Sequence, residues 1–169
     1  MIWRLWRKCP IDLVQHVAPE TGIEMNILFL CTGNSCRSQM AEGWTRHFGG
    51  DRFQIQSAGI EMHGKNPRAI DVMREAGVDI SRQESTRLTD QMLAAADYVV
   101  TVCGHADENC PVFPAEVRKE HWPLDDPAKV VGAERDVMAA LKDSRDDIRL
   151  RVEDLIQRLS DELGREAND

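Results

Sequence analysis

Two short runs constrain this chain more than anything else in it. Asn26-Ile-Leu-Phe-Leu30 and Tyr98-Val-Val-Thr-Val102 do not alternate polar with apolar residues. A strand with one wet face alternates. These runs need cover on both faces, as strands of a parallel sheet have. The intervening segments carry helical spacing. Ser38 to Phe48 places Met40, Ala41, Trp44 and Phe48 on one side, and Gly49-Gly50 stops it. Arg52 to Ser57 alternates Phe53, Ile55 and Ser57 and predicts a second strand. Asn66-Pro67 opens a helix with Ile70, Met73 and Ala76 as its apolar stripe, and Gly77 ends it. Thr89 or Asp90 caps a short helix through Ala96. Residues 103–116 hold Gly, Asp, Asn and two prolines and predict a loop, and 117–122 predict a short edge strand. Asp125-Asp126-Pro127 is turn chemistry. From Glu134, Val137, Leu141, Ile148, Val152, Leu155, Ile156, Leu159 and Leu163 mark one long amphipathic helix. The expectation is one α/β domain over residues 25–163, with a parallel sheet of about four strands and helices on both faces. Ligands of such sheets bind beyond the carboxyl ends of the strands. Residues 1–24, broken by Pro10 and Pro19, read as a peripheral extension, or translation starts at Met25. Residues 164–169 read as a polar tail.

Charge and cysteine content narrow the chemistry. Lys plus Arg is 21 and Asp plus Glu is 29 in 169 residues, a net charge of −8. That disfavours nucleic acid held by bulk electrostatics, so an anion needs a local site. No apolar run approaches the roughly 20 residues of a membrane-spanning helix. Arg4, Arg7 and Lys8 are followed by no apolar stretch, which makes a poor secretory signal. Five cysteines are too few for a disulfide scaffold. Their odd number and uneven spacing point to a reducing compartment, the cytoplasm, with chemistry at some of them. Cys9 receives no role. A monomer is expected.

The strongest local signal is Cys31-Thr-Gly-Asn-Ser-Cys36-Arg37-Ser38. A cysteine ends a buried strand, five residues intervene, and an arginine opens a helix. Gly33 and Asn34 suit positive-φ conformations, which turn successive N–H groups inward as a nest across Thr32, Gly33, Asn34, Ser35 and Cys36. The helix start adds its positive dipole end. Arg37 supplies a fork for two oxygens of a tetrahedral oxyanion. The same field favours thiolate at Cys31, beneath the bound anion. Ser38 can donate to that sulfur. A buried structural cysteine beside a surface arginine is the plain alternative, and the coincidence of strand end, glycine, arginine and helix start weighs against it. Cys36 reads as packing.

Cys103 follows a buried strand as Cys31 does, so both belong at one sheet edge. Cys110 lies seven residues later. Three thiols near one oxyanion site suggest a relay. Unrelated loop thiols are the alternative. Cys103, His105, Cys110 and His121 match no standard zinc spacing, so no metal is expected there. Asp126 precedes Pro127 in a loop returning to the same edge, where a carboxyl can protonate a leaving oxygen. Asp125 is the competing turn residue. His63, His105 and His121 read as surface or network residues.

With these residues the chain resembles the low-molecular-weight protein tyrosine phosphatase superfamily, and within it the thioredoxin-coupled arsenate reductases. The resemblance rests on Cys31 to Trp44, Ser57-Ala-Gly-Ile-Glu61, His63-Gly64, Asn66-Pro67, Val100-Thr-Val-Cys103, Cys110-Pro111, Glu120-His-Trp122 and Asp125-Asp126-Pro127. It implies a flavodoxin-like topology, with Asp126 as general acid. It implies arsenate reduction by Cys31, then Cys103, then Cys110, with thioredoxin as the external reductant and no bound organic cofactor. Glutaredoxin with glutathione is the alternative reductant. Some relatives bind potassium at positions matching Asn34, Glu42 and Ser57. A further acidic ligand there is Thr86 here, so strong potassium dependence is not expected. Two rival functions remain: a phosphotyrosine phosphatase using Cys31, Arg37 and Asp126, and a non-catalytic oxyanion-binding or redox-sensing module.

Overall fold

The computed structural model describes residues 22, 25–108 and 115–166. Cys9, Cys110 and nearly all of the expected N-terminal extension fall outside them. The elements run β1 (Met25–Cys31), α1 (Arg37–Gly49), β2 (Phe53–Gly59), α2 (Pro67–Glu75), α3 (Asp90–Ala95), β3 (Tyr98–Thr101), α4 (Gly104–Glu108), β4 (Arg118–His121) and α5 (Glu134–Glu166). Short 3-10 turns span Gly50–Arg52 and Pro127–Lys129.

The four strands form one parallel sheet in the order β2-β1-β3-β4. Ile27 pairs with Ile55 on one side and Tyr98 on the other. β1 is buried throughout except at Asn26, and β3 throughout. Edge strand β4 alternates half-buried with exposed residues. The unbroken apolar runs are therefore the two inner strands. α1 packs against β1, β2 and α5, and α3 and α4 pack against β1. Trp44 stacks on Phe48 with ring centroids 5.5 Å apart, and Arg149 of α5 lies over Trp44. Among the described residues no helix is long and apolar enough to cross a membrane.

Local chemistry sets the helix ends. Asn66 caps α2 by accepting from the N–H groups of Arg68 and Ala69. Gly77, at φ +87°, follows it. Thr89, not Asp90, caps α3 by accepting from Met92 N–H. Three expectations need correction. The fully buried stripe of α2 is Ala69, Val72 and Met73, with Ile70 and Ala76 at its margin. Residues 103–116 are not all loop: α4 winds directly after β3, with Asp107 N–H donating to the Cys103 carbonyl. Residues 164–166 of the expected polar tail are helical: α5 runs to Glu166, and Arg165 Nε donates to the Asp161 carbonyl.

Candidate active site

The carboxyl ends of β1 and β3 open onto a cleft of about 630 Å³. Cys31, Thr32, Gly33, Ser35, Cys36 and Arg37 form its floor. Cys103, Gly104 and His105 line one side. Leu124, Asp125, Asp126, Ala128 and Lys129 line another, and His63 a third. Cys31, Cys36 and Cys103 are buried, free thiols.

Cys31 Sγ accepts from Asn34 N–H at 3.1 Å and lies 2.9 Å from Ser38 Oγ. Proton directions follow from Asn34. Its Oδ1 accepts from the Thr86 backbone N–H at 2.7 Å, which fixes the amide orientation. Nδ2 then donates to Ser38 Oγ at 2.9 Å and to Ser57 Oγ at 2.8 Å. Ser38 is left to donate its own proton to Cys31. No side chain caps α1 at Cys36. The first amides of the helix are thus left for an anion.

Only part of the expected nest geometry holds. Asn34 has φ +46°, but Gly33 is not in the left-handed region. Gly33 is needed for space instead: a Cβ there would lie 2.2 Å from His63 Nδ1. Gly59 is as close to its neighbours, and those neighbours are backbone. A Cβ there would meet Glu61 O at 2.2 Å, with Asn34 N and Thr32 O each at 2.8 Å. These are backbone atoms that hold the loop's shape. The segment after β2 zips along the loop: Ile60, Glu61, His63 and Asn66 donate their N–H groups to the carbonyls of Cys31, Thr32, Gly33 and Ser35. Sequence reasoning missed this support, because backbone pairing carries no side-chain signature. Gly59→Ala should therefore destabilise the fold by about 1–3 kcal/mol in a urea titration. It should also cut turnover about 100-fold through loop displacement. Parent-like values for both would show that the loop tolerates the extra methyl.

Arg37 Nη2 pairs with Asp126 Oδ2 at 3.0 Å, and Nη1 donates to the Leu124 carbonyl at 2.8 Å. One guanidinium thus pins the Asp126 segment over the loop. Asp126 Oδ1 also accepts from Ala128 N–H and caps the following 3-10 turn. Cys103 Sγ lies 3.4 Å from Thr32 Oγ1 and accepts from Ala106 N–H at 3.4 Å. Burial pushes the Cys36 thiol up to about 12, which suits packing and not nucleophilic attack. His63 is an exposed residue within a network: its ring covers Gly33, and Nε2 meets Glu61 Oε2 at 2.6 Å.

Asn34, Glu42 and Ser57 do come together, but not as cation ligands. Ser57 donates to Glu42 Oε2 at 2.6 Å. Asn34 turns its donor nitrogen toward Ser57, and its oxygen is engaged by Gln39 and Thr86. The Arg46 guanidinium binds Glu42 Oε1 at 2.9 Å and the Ile55 carbonyl at 2.6 Å. These residues satisfy one another and bring their own cation, so the set does not fit a resident potassium ion. Among the described residues no cluster of three or more His, Cys, Asp or Glu side chains is arranged to hold a metal.

Comparison with known proteins agrees with this geometry. The chain is 52% identical to an arsenate reductase of Bacillus licheniformis over 126 residues, covering 75% of this chain and 91% of that one. It is 49% identical to an arsenate reductase of Bacillus subtilis over 131 residues, covering 78% and 94%. Among solved structures it resembles an arsenate reductase in the phosphate binding state, with TM-score 0.66, 32% identity and coverage of 79% and 98%. It also resembles a thioredoxin-dependent arsenate reductase of Corynebacterium glutamicum, with TM-score 0.61, 28% identity and coverage of 79% and 62%. Residues 26–167 match the family described as low molecular weight phosphotyrosine protein phosphatase. With that match spanning most of its length, the chain belongs to the low molecular weight phosphotyrosine protein phosphatase family.

Proposed function

We propose that this protein is an arsenate reductase that works by a three-thiol relay and is recycled by thioredoxin in the cytoplasm. The observation that carries the reading is the second thiol. Cys103 lines the same cleft as Cys31, with its sulfur 3.4 Å from Thr32 Oγ1. A phosphatase needs only one. Supporting it, no Phe, Tyr or Trp lines the described cleft, whereas a phosphotyrosine ring calls for aromatic or broad apolar walls.

Arsenate docks against Arg37 and the first amides of α1. The anion draws the guanidinium from Asp126 and leaves that carboxyl facing the departing oxygen. The Cys31 thiolate attacks arsenic. An S–As bond forms, an As–O bond breaks, and Asp126 supplies a proton to the oxygen that leaves as water. Cys103 then attacks Cys31 Sγ, with the Thr32 hydroxyl beside its sulfur. The S–S bond forms as the S–As bond breaks, its electron pair stays on arsenic, and arsenite departs. Cys110 attacks Cys103 and frees Cys31 as thiolate. The dithiol of thioredoxin reduces the resulting Cys103–Cys110 disulfide.

One assay separates this from hydrolysis. Arsenate-dependent NADPH oxidation is measured with thioredoxin and its reductase, beside release of an aryl alcohol from an aryl phosphate. Sustained NADPH oxidation with at most weak hydrolysis is expected. Hydrolysis without arsenate turnover would make the protein a phosphatase. Binding without either reaction would leave an oxyanion-binding module. Turnover only with glutaredoxin and glutathione would replace thioredoxin as reductant.

A further inference from the structure

The chemistry above assigns no task to Gln39. This residue sits in the first turn of α1 and is only 2% exposed, although it carries a primary amide. A buried amide is costly unless its donors and acceptor are met. Here they are. Nε2 faces three oxygens: the Asn34 carbonyl at 3.3 Å, Asn34 Oδ1 at 3.0 Å and the Glu84 carbonyl at 2.8 Å. Two of these are backbone carbonyls, which only accept, so the NH2 end of the amide points at them. At its other end Gln39 Oε1 accepts from Gln83 Nε2 at 2.9 Å, and Gln83 Nε2 also donates to the Gln39 carbonyl at 2.9 Å. Thr86 N–H holds Asn34 Oδ1 from the same segment at 2.7 Å.

Asn34 is the one residue other than glycine with a positive φ among the described residues, at +46°. That conformation is unfavourable for a residue with a Cβ and persists where its surroundings over-determine it. Gln39 grips Asn34 at two points, main chain and side chain, from the start of a packed helix. What the conformation achieves is direction: Asn34 N–H points at Cys31 Sγ, 3.1 Å away. An N–H donated to the sulfur favours its charged form. We propose that Gln39 is a positioning residue for the nucleophile: its amide locks Asn34 in the left-handed conformation and so keeps the Asn34 N–H on the Cys31 sulfur. Gln39 is not among the residues that line the cleft, so it acts through Asn34. The proposal rests on Cys31 as the nucleophile, a role that the relay and a phosphatase share, and not on thioredoxin or the later thiols.

Gln39→Met keeps the length of the side chain and removes its polar contacts. Gln83→Met leaves the grip on Asn34 and removes the brace behind it. Thr45→Val is the control. Thr45 is also buried in α1, six residues further along, where its hydroxyl donates to the Ala41 carbonyl at 2.7 Å. The rate at which iodoacetamide alkylates Cys31 near neutral pH, read by peptide mapping, reports the thiolate without arsenate. The rate of the arsenite burst reports the steps up to arsenite release, and a urea titration reports stability. Gln39→Met should lower both rates about 5–20-fold, the loss of part of one hydrogen bond to a charged group. Its phosphate affinity in a calorimetric titration should stay within about threefold of the parent. Gln83→Met should lower both rates about 2–4-fold. Thr45→Val should lower the urea midpoint and leave both rates within about twofold. Parent-like alkylation in Gln39→Met would overturn the proposal. An equal loss of rate in Thr45→Val would overturn it too, since the effect would then be one of general stability. If Gln39→Met does not fold, Gln83→Met decides by the same rates, and parent-like alkylation there refutes the proposal. If the parent reduces no arsenate, the relay reading fails by itself, and the alkylation rates still decide the role of Gln39.

Discussion

Cys31→Ser should lower arsenate reduction more than about 10⁴-fold, to background. The serine hydroxyl stays protonated near neutral pH, where a thiolate attacks. Among the described residues no other thiol accepts from Asn34 N–H and lies beside Ser38 as the Cys31 sulfur does. Cys36 is pushed up to about 12 by burial and cannot take over. The oxyanion-binding parts survive the change, since Arg37 and the first amides of α1 are untouched. Phosphate should therefore bind this variant within about threefold of the parent in a calorimetric titration. Substantial turnover would remove Cys31 from the mechanism. Loss of phosphate binding together with turnover would point to a collapsed loop.

Arg37→Lys should fail almost as badly although the charge is kept. A loss of about 10²–10³ in kcat/KM is expected, with both kcat and KM affected. The guanidinium makes two contacts at once, one to Asp126 and one to the Leu124 carbonyl. An ammonium cannot hold both, nor can it meet two arsenate oxygens in one plane. The substrate would sit loosely and the Asp126 segment would lose its anchor. Steady-state kinetics over a range of arsenate concentrations check this. Parent-like kinetics would mean that charge alone, not fork geometry, binds the anion.

The parts legible in the sequence are those with a local signature. β1 and β3 are apolar on both faces, so burial on both sides follows from composition alone. The Cys31 to Ser38 loop sits between a strand and a helix, and that context gives its residue types meaning. Asn34 takes the strained φ that its small polar side chain tolerates, but its larger role is the network joining Ser38, Ser57, Gln39 and Thr86. That network depends on partners 4 to 52 residues away, beyond any local pattern. α4 escaped notice because a five-residue polar helix has no periodicity to detect, and its anchors come from β3 and β4. Gly33 was legible as a glycine, but not its reason. The ring of His63 occupies the space a side chain would need. Glu42 and Ser57 match a cation site only through the resemblance, and the contact of Arg46 with Glu42 is a tertiary arrangement that no local pattern shows.

The relay makes its sharpest claim about an enzyme lacking the last thiol. In Cys110→Ser the first two steps remain open, and the third does not. Rapid-quench measurement of arsenite with thioredoxin and its reductase present should give a burst of about one arsenite per enzyme and then little turnover. Peptide mapping of the stalled protein should find Cys31 joined to Cys103. Steady arsenate reduction by Cys110→Ser at the parent rate would contradict the three-thiol account and make an external thiol the resolving group.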